Sequence, residues 1–341
     1  MSGLTESASV DPAAPPTLVV GVSWIGDTIM SWPAIQAWRA AHPGRFLAVL
    51  AKPAPAALWR LHPAPDEVWT LERGAGGVRR AARVIRRAGL QEAWVLPHSL
   101  RSALIPWLAG VPVRRGMPGH APRDLLLTQV VPVPRKPGRE HQQFEYFDLM
   151  GLTGTPPGNP ALVIPAGARA RAAEWIAAAA GRPCVAIMPG AARGPSKCWP
   201  LERFEDVARR LARESDAFVV ACGGDSEQDA CRRVADAAGA RGISLAGRMT
   251  IAEWAAALAA CRCAVANDSG GMHLAAAVGT PVVAIFGRTD PAVTGPLGSG
   301  HTVLQAPGAR DRDVPRRDGE ARRRLEAIRA DDVWAACRNR L

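Results

Sequence analysis

The residues Asn267 to Gly287 read NDSGGMHLAAAVGTPVVAIFG and contain the pattern that decides the fold. The apolar run RCAVAN (262–267) leads into this stretch, and the apolar run PVVAIFG (281–287) ends it. A turn, DSGG, and an alanine-rich stretch with the composition of a helix, MHLAAAV, lie between the two runs. A strand, a turn, a helix and a second strand in succession predict a βαβ unit with parallel strands.

The same alternation of short apolar runs and helical stretches extends along most of the chain. Continuous β-branched runs separated by helices indicate parallel sheets covered by helices on both faces. A chain of 341 residues is also longer than one core usually serves. The sequence therefore predicts an α/β fold with two doubly wound, Rossmann-like domains and an interdomain cleft. The predicted strands are 17–22, 45–51, 67–71, 92–97, 184–190, 217–224, 242–247, 262–268 and 281–287.

Composition shifts mark the expected domain boundaries. The stretch TGTPPGNPALVIPAG, around 153–168, is rich in Pro and Gly and is typical of a linker. The first 16 residues lack the basic start and apolar core of a signal peptide and predict a disordered tail. The expected divisions are a tail at 1–16, domains at 17–155 and 169–310, a linker at 156–168 and a helical tail at 311–341.

The formal net charge of +11 is spread over both halves of the chain. Such an excess favours acidic small molecules or an anionic surface as partners. Nucleic acid is not expected, because the chain has no zinc-finger spacing.

Cysteine usage and hydropathy indicate a cytoplasmic protein. The seven cysteines are odd in number, form no CxxC pair and lie mostly in apolar runs, which favours buried free thiols in a reducing compartment. No apolar run approaches the roughly 18 residues that a membrane span requires.

The first strand-to-helix turn, SWIGDTIM, contains a candidate catalytic carboxylate. Asp27 lies where strand 17–22 should turn into a helix, the edge at which open α/β sheets bind ligands. In one interpretation Asp27 is a helix N-cap; in the other it is a general base that takes a proton from an attacking hydroxyl. Trp24 and Trp32 either pack on this turn or, if exposed, would stack on a sugar. The turn is not a GxGxxG dinucleotide fingerprint.

Two loops of the second half carry candidate ligand contacts. Lys197, one of only three lysines among 42 basic residues, lies in a Gly- and Pro-rich loop ahead of a helix, where it would bind a phosphate or remain solvated. Glu227 follows the Gly-Gly turn after strand 217–224. It would bond a ribose diol or simply complement the helix dipole.

The turn in the opening stretch favours an anion at a helix N-terminus. Gly270 and Gly271 allow backbone amides to approach a ligand closely, and Ser269 offers a hydroxyl. Asp268 would repel a bare phosphate, so it is expected to bond loop amides or to accept from sugar hydroxyls. His273 is either a core residue or a ligand contact. No Lys-Ser/Thr pair follows the glycines, which excludes a P-loop.

Three blocks in this order resemble a known family: VGVSWIGDTIMSWPAIQAWRAAHP (21–43), PGAARGPSKCWPLERFEDVARRL (189–211) and NDSGGMHLAAAVGTPVVAIFGRTDPAVTGPLG (267–298). They are similar to glycosyltransferase family 9, the ADP-heptose:lipopolysaccharide heptosyltransferases. The loop PGA…GPxKxWP is closer to the heptosyltransferase II type. With the strand pattern between them, the blocks extend the resemblance over about 17–305.

The resemblance implies a GT-B fold, with the acceptor on the N-terminal domain and the nucleotide sugar on the C-terminal one. It implies an inverting transfer from ADP-heptose to a sugar hydroxyl of a lipid-linked or oligosaccharide acceptor, with no metal or other cofactor. Asp27 matches the family's base, and Lys197 matches a lysine that reaches the donor diphosphate. The other implied donor contacts are Asp268, Ser269, Gly270, Gly271, His273, Met249 on adenine and Glu227 on ribose.

Two departures leave the acceptor open. Residues 191–193, AAR, stand where some relatives have hydroxyl side chains, and Ser196 is expected to supply a hydroxyl instead. The segment 306–324 lacks the cysteines of many relatives. The alternatives are a GT-B enzyme using another nucleotide sugar, an epimerase, or a non-catalytic anion-binding module. The arginine-rich segment 73–89 is either a solvated face or a contact for lipid phosphates or the inner membrane.

Overall fold

The computed structural model describes residues 15–134, 137–308, 310–311, 315 and 317–341. The chain forms two compact units that divide between Pro160 and Ala161, inside the predicted linker 156–168. The predicted tail 1–16 lies outside the described residues except for Pro15 and Pro16. Each unit is built around its own six-stranded sheet.

Unit 1 contains a fully parallel sheet with strand order β3-β2-β1-β4-β5-β6. Its strands are β1 (Thr17–Val20), β2 (Leu47–Ala51), β3 (Glu67–Thr70), β4 (Glu92–Val95), β5 (Val113–Gly116) and β6 (Gln129–Val130). Its helices are α1 (Ile25–Ala41), α2 (Pro53–Trp59), α3 (Gly74–Arg87), α4 (Leu100–Ala109), α5 (Ala121–Asp124) and α6 (Gln143–Leu149).

Unit 2 repeats this arrangement with strand order β12-β11-β10-β7-β8-β9, again fully parallel. Its strands are β7 (Cys184–Met188), β8 (Phe218–Ala221), β9 (Gly242–Ser244), β10 (Cys263–Asn267), β11 (Val282–Phe286) and β12 (Thr302–Gln305). Its helices are α7 (Ala166–Ile176), α8 (Leu201–Glu214), α9 (Gln228–Ala237), α10 (Ile251–Ala259), α11 (Gly270–Ala277), α12 (Pro291–Thr294), α13 (Gly319–Leu325) and α14 (Ala330–Arg338).

The central strands form because their residues are apolar on both faces. Every residue of β1, β2, β4, β7, β8, β10 and β11 is buried, as parallel strands covered by helices require. Helices α3 and α8 each bury one apolar stripe against a sheet; the opposite side of α3 is rich in arginine, and that of α8 carries both arginines and acidic residues. The α/β, two-domain, doubly wound prediction is therefore confirmed, and each of the nine predicted runs contains a strand.

The sequence pattern did not predict three of the observed strands. Strand β5 reads VRRG, β6 has two exposed residues, and β12 lies at a sheet edge with no fully buried residue. Strands near a sheet edge are covered less completely, so they do not need the continuous apolar run that identifies a central strand.

The structure contains the expected buried thiols. All seven cysteines lie within the described residues as free thiols, and six of them are buried. No helix in the described ranges combines the length and the apolar character that crossing a bilayer would demand.

Candidate functional site

Each sheet has its own point at which the winding direction reverses, and several candidate residues follow the strands at these points. In unit 1 the chain winds outward in both directions from the adjacent strands β1 and β4, and in unit 2 from β7 and β10. Loops that leave the carboxyl ends of two such strands diverge to opposite faces of the sheet, which opens a crevice for a ligand. The turn after β1 leads into α1, whose first turn contains Asp27, whereas the loops after β7 and β10 contain Lys197 and Asp268.

Lys197 and Asp268 form a buried ion pair at the carboxyl edge of the second sheet. Lys197 ends a short 3₁₀ turn, Pro195–Lys197, and its Nζ lies 2.5 Å from Oδ2 of Asp268, the residue after β10. The two side chains are only 11% and 6% exposed. The same Oδ2 accepts a hydrogen bond of 2.8 Å from Oγ1 of Thr289, a buried residue in the loop after β11. Three loops thus meet at one carboxylate oxygen.

The sequence did not identify Thr289 or the pairing of Asp268 with Lys197. Thr289 begins the sequence TDP (289–291) inside the third block, and the loop after β11 opens at the same sheet edge as the loop after β10. Position on that edge was the available signal. Asp290, the second residue of TDP, acts within its own loop. Its side chain accepts a 3.0 Å bond from the amide of Ala292 and caps α12, with Pro291 in the first helical position.

Asn267 holds the loops after β7 and β10 together. Its buried amide donates from Nδ2 to the carbonyl of Pro189 at 2.8 Å, and its Oδ1 accepts from the amide of Trp199 at 2.9 Å. Pro189 and Trp199 flank the loop that bears Lys197 at its two ends. A side chain with both a donor and an acceptor is therefore required at this position.

Helix α11 begins beside the ion pair. Ser269 occupies the N-cap position with extended backbone angles, and within the described part of the chain its side chain makes no capping bond to the helix. Gly271 is required by packing, because a Cβ there would lie 2.5 Å from Sδ of Met188. The next residues, including His273, are buried. The accessible end of α11 therefore consists of the half-buried Ser269 and Gly270 with the first helical amides, the groups that suit an anion.

The Ser196 hydroxyl forms a hydrogen bond within the protein. Its buried hydroxyl donates to the carbonyl of Pro315 at 2.6 Å. A hydroxyl has a single hydrogen to donate, so a phosphate contact from Ser196 would require that this bond be broken. Gly194, two residues earlier, has φ +110°, a backbone angle that residues with a Cβ rarely adopt, and this angle lets the loop turn into the Pro195–Lys197 segment.

Glu227 lies across the carboxyl ends of β7 and β8. A Cβ on Gly190 would fall 1.8 Å from its Oε1, so only glycine at 190 leaves room for this carboxylate. Its Oε2 accepts a 2.7 Å bond from the amide of Gly224 and closes a capping turn before α9. Burial raises the pKa of the Cys198 thiol to about 11, and the negative charge of Glu227 contributes to this rise. Glu227 therefore lies near the loop that bears Lys197.

Met249 lies half-buried between β9 and α10, immediately before Thr250. The Thr250 hydroxyl and the Glu253 carboxylate form a capping box at the start of α10, which fixes where this loop ends. Met249 thus follows the third strand of the second sheet, on the side of β7 where Glu227 also lies.

Asp27 is the third residue of α1 and is half-buried. The N-cap position belongs to Trp24, so the interpretation of Asp27 as an N-cap is wrong. Trp24 is 49% exposed, whereas Trp32 is fully buried and is not available to stack on a sugar. The first turn of α1 therefore carries a carboxylate and, three residues before it, a solvent-accessible aromatic ring.

A buried arginine, which the sequence did not reveal, supports the neighbouring loops of unit 1. Arg123 is fully buried and donates to the carbonyls of Pro97 at 2.9 Å and Met117 at 2.6 Å. These carbonyls follow β4 and β5. A Cβ on Gly116 would lie 2.8 Å from the Arg123 guanidinium, so glycine is required there too. Arg123 positions the loop after β4, which is the partner of the Asp27 loop at this switch point.

The described residues contain no group of three His, Cys, Asp or Glu side chains arranged to hold a metal ion. The polar groups at the carboxyl edge of the second sheet include a lysine, helix amides and carboxylates that bond within the protein.

Residues 78–318 match the family model of glycosyltransferase family 9 (heptosyltransferase). The chain is 30% identical over 306 residues to lipopolysaccharide heptosyltransferase 2 of Salmonella typhimurium, covering 84% of this chain and 87% of that protein. The chain belongs to glycosyltransferase family 9. It is an enzyme that transfers a glycosyl group and has the GT-B fold of this family.

Solved structures agree with this assignment. The structure of Escherichia coli ADP-heptose lipopolysaccharide heptosyltransferase II superposes with a TM-score of 0.81 at 28% identity, covering 95% of this chain and 98% of that one. A family 9 glycosyltransferase from Veillonella parvula superposes with a TM-score of 0.77 at 23% identity and covers 88% of each chain, which supports the fold alone.

Proposed function

We propose that this enzyme moves a heptose from ADP-heptose to a sugar hydroxyl of the lipopolysaccharide inner core, with inversion at the anomeric carbon. The observation that carries the proposal is the buried lysine, Lys197, beside the N-terminus of α11 at the switch point of unit 2. This arrangement suits a diphosphate. The likeness to heptosyltransferase 2 over most of the chain supports ADP-heptose as the donor.

Unit 2 binds the donor in this proposal. Lys197 turns from Asp268 toward the diphosphate, while Ser269 and the first amides of α11 donate to its oxygens. These groups stabilise the negative charge that grows on the leaving ADP, the type of electrostatic stabilisation that often contributes most to catalysis. Asp268 remains bonded to Thr289, so its charge keeps a partner when Lys197 turns away.

The adenosine lies farther along the same sheet edge in this proposal. Glu227, across the ends of β7 and β8, accepts from the ribose hydroxyls through Oε1, while Oε2 keeps its bond to Gly224. Met249 packs on the adenine after β9. His273 supports the loop from within α11 because it is buried. Ser196 bonds Pro315 and so keeps Lys197 in place, instead of contacting phosphate directly.

Unit 1 supplies the base. Asp27 takes the proton of the acceptor hydroxyl as that oxygen attacks the anomeric carbon. The bond from the anomeric carbon to the diphosphate breaks, and ADP leaves with the electron pair. The charge on the leaving group is carried by Lys197 and helix amides, so the proposal assigns no step to a metal. Trp24 stacks on the acceptor sugar, as an exposed ring beside the base can do.

The acceptor of such a transfer is a lipid-linked sugar or core oligosaccharide bound by the N-terminal domain (17–155), with the donor on the C-terminal domain (169–310). We place the reaction in the cytoplasm, at the inner face of the membrane, where a lipid-linked acceptor would be accessible. The net charge of +11 supports an acidic acceptor.

A donor panel tests the proposal. Purified enzyme is incubated with a lipid A–Kdo acceptor and ADP-heptose, UDP-sugars or GDP-sugars, in buffer with and without a chelator. We expect transfer from ADP-heptose alone, unchanged by the chelator. Transfer from another nucleotide sugar, or interconversion of a free nucleotide sugar, would replace the proposal with one of the rival activities.

The variant Asp27→Asn separates the two halves of the mechanism. Loss of the base should lower the transfer rate by about 10²–10⁴-fold, while calorimetry should give an unchanged ADP affinity. Wild-type activity in Asp27→Asn would remove Asp27 from the chemistry.

A further inference from the structure

Helices α3 and α4 cover one side of the first sheet and present a surface that the proposed reaction does not use. We call it the α3–α4 face and define it by the exposed side of α3 from Arg79 to Arg87, together with Trp107 of α4. Helix α3 buries Val78, Ala82 and Ile85 in the core of unit 1. The opposite side of this helix therefore faces solvent.

The exposed side of α3 is densely basic. The segment 73–89 contains six arginines and no acidic residue, and all six are exposed. Arg80 pairs with Glu72, which precedes the helix. A run of like charges on one helix face, with its counter-ions outside the helix, attracts an anionic surface.

Large apolar side chains on these two helices are also exposed. Val84 is 43% exposed and follows Arg80 by four residues, so the two are neighbours on the helix surface. Trp107 is 47% exposed near the C-terminal end of α4. The Arg86 guanidinium donates to the carbonyls of Leu108 and Ala109, which fixes this end of α4 beside α3. Arginine and tryptophan together are typical of residues at a membrane–water interface.

We propose that the α3–α4 face docks the enzyme on an anionic lipid bilayer. Arginine side chains would extend to the lipid headgroups, while Val84 and Trp107 enter the boundary between headgroups and acyl chains. Nucleic acid would engage the arginines but would leave Val84 and Trp107 without a role, which favours the lipid surface.

Helices α3 and α4 connect this face to the carboxyl edge of the first sheet. Helix α3 begins after β3, at the carboxyl edge of the sheet, where the Asp27 loop also lies. Arg101, at the start of α4, donates to the carbonyl of Glu72 at 2.6 Å and so ties the beginnings of α3 and α4 together at this edge. The proposed function explains why the enzyme would bind a membrane, and the inference rests on it in that respect alone. Docking on the bilayer itself needs no substrate.

Vesicle sedimentation tests the docking. The full-length enzyme is mixed with phosphatidylcholine vesicles with and without phosphatidylglycerol, at low and high salt. We expect binding only with the anionic lipid and loss of binding at high salt. The triple variant Arg79→Gln, Arg83→Gln, Arg87→Gln should bind about 100-fold more weakly, from the contribution of three arginines near a charged surface. Trp107→Ala should weaken binding further.

A control with the same change of charge isolates the face. Arg171→Gln, Arg213→Gln, Arg232→Gln removes three exposed arginines from unit 2 and should bind vesicles like wild type. Both triple variants should transfer sugar to a water-soluble, delipidated acceptor at the wild-type rate. Activity without vesicle binding would overturn the docking alone, and docking without activity would overturn the proposed reaction alone.

Three results would refute the docking face. These are equal vesicle binding by the α3 triple variant and its control, equal binding to neutral and anionic vesicles, or binding of wild type to single-stranded DNA but not to vesicles. A folded state that matches wild type by circular dichroism is required of each variant before its binding is compared.

Discussion

The ion pair between Lys197 and Asp268 should stabilise unit 2 most when no nucleotide is bound. The variant Asp268→Asn keeps the shape of the side chain and removes its charge. Breaking a buried pair by neutralising one partner costs about 3–5 kcal/mol, because the other charge is left without a counter-ion. Both side chains retain slight exposure, 11% and 6%, so we expect the lower end, about 3 kcal/mol. For a unit of this size, that corresponds to a fall in Tm of about 6–12 °C.

ADP should correct much of this loss. The diphosphate provides Lys197 with a new counter-ion, so the difference in Tm between wild type and Asp268→Asn should shrink by more than about half at saturating ADP. Thermal unfolding followed by circular dichroism, with and without ADP, measures this difference. An identical Tm difference in both conditions would refute the idea that Lys197 exchanges Asp268 for the diphosphate.

A double-mutant cycle tests the pairing itself. Lys197→Met with Asp268→Asn removes both charges and should be more stable than the sum of the single losses predicts, with a coupling of about 1–3 kcal/mol. Losses that add to within about 0.5 kcal/mol would show that the two residues do not interact.

Two further predictions concern other buried groups. Gly190→Ala forces the Glu227 carboxylate away and should weaken ADP binding about tenfold by calorimetry, near the value of one good hydrogen bond. The control Gly167→Ala, at an open position, should leave the affinity for ADP unchanged. Equal ADP affinities of Gly190→Ala and wild type would exclude a contact between Glu227 and the ribose. Burial lowers the pKa of His62 to about 3. Between pH 6.5 and 3 the unfolded chain therefore binds a proton at His62 that the folded chain does not, and the free energy of unfolding decreases as the pH decreases. Between pH 7 and 5 wild type should lose about 2 kcal/mol more in urea unfolding than His62→Gln; equal losses would contradict a neutral His62.

The central strands could be predicted because a strand that is buried on both faces has an apolar composition. A strand such as VVAIF, covered on both faces, must be apolar throughout, and no other element of similar length has that constraint. The strand VRRG (β5), next to the edge strand β6, shows the limit. Its arginines are satisfied by hydrogen bonds, such as that of Arg114 to the carbonyl of Leu126 at 2.7 Å, and by the ring of Trp94 under Arg115. Such contacts come from residues distant in the sequence and leave no periodic signal.

The candidate site shows the same division between local and distant information. Lys197 and Gly270 were identified from local patterns: a rare lysine before a helix, and glycines at a helix start. The partners of Asp268 were not, because Lys197 is 71 residues away and Thr289 is 21 residues away, and only the order of strands brings the three together. A parallel sheet places every strand-to-helix loop on one edge, so residues of different loops become neighbours without proximity in sequence.

Asp268, a poor match for a phosphate site in the sequence, has a physical role once its partner is known. A lysine held ready for a diphosphate must spend part of its time without one, and an isolated buried ammonium would lose its charge or unfold the loop. Asp268 provides the counter-ion for that state, and Thr289 stabilises Asp268 when the lysine leaves. A carboxylate beside the donor diphosphate is therefore consistent with binding it, provided that the carboxylate has a second partner. We therefore expect Thr289→Val to weaken the binding of ADP more than the binding of AMP. Thr289→Ser, which keeps the hydroxyl, should leave the ratio of the two affinities at the wild-type value. An unchanged ratio in Thr289→Val would contradict this role of Thr289.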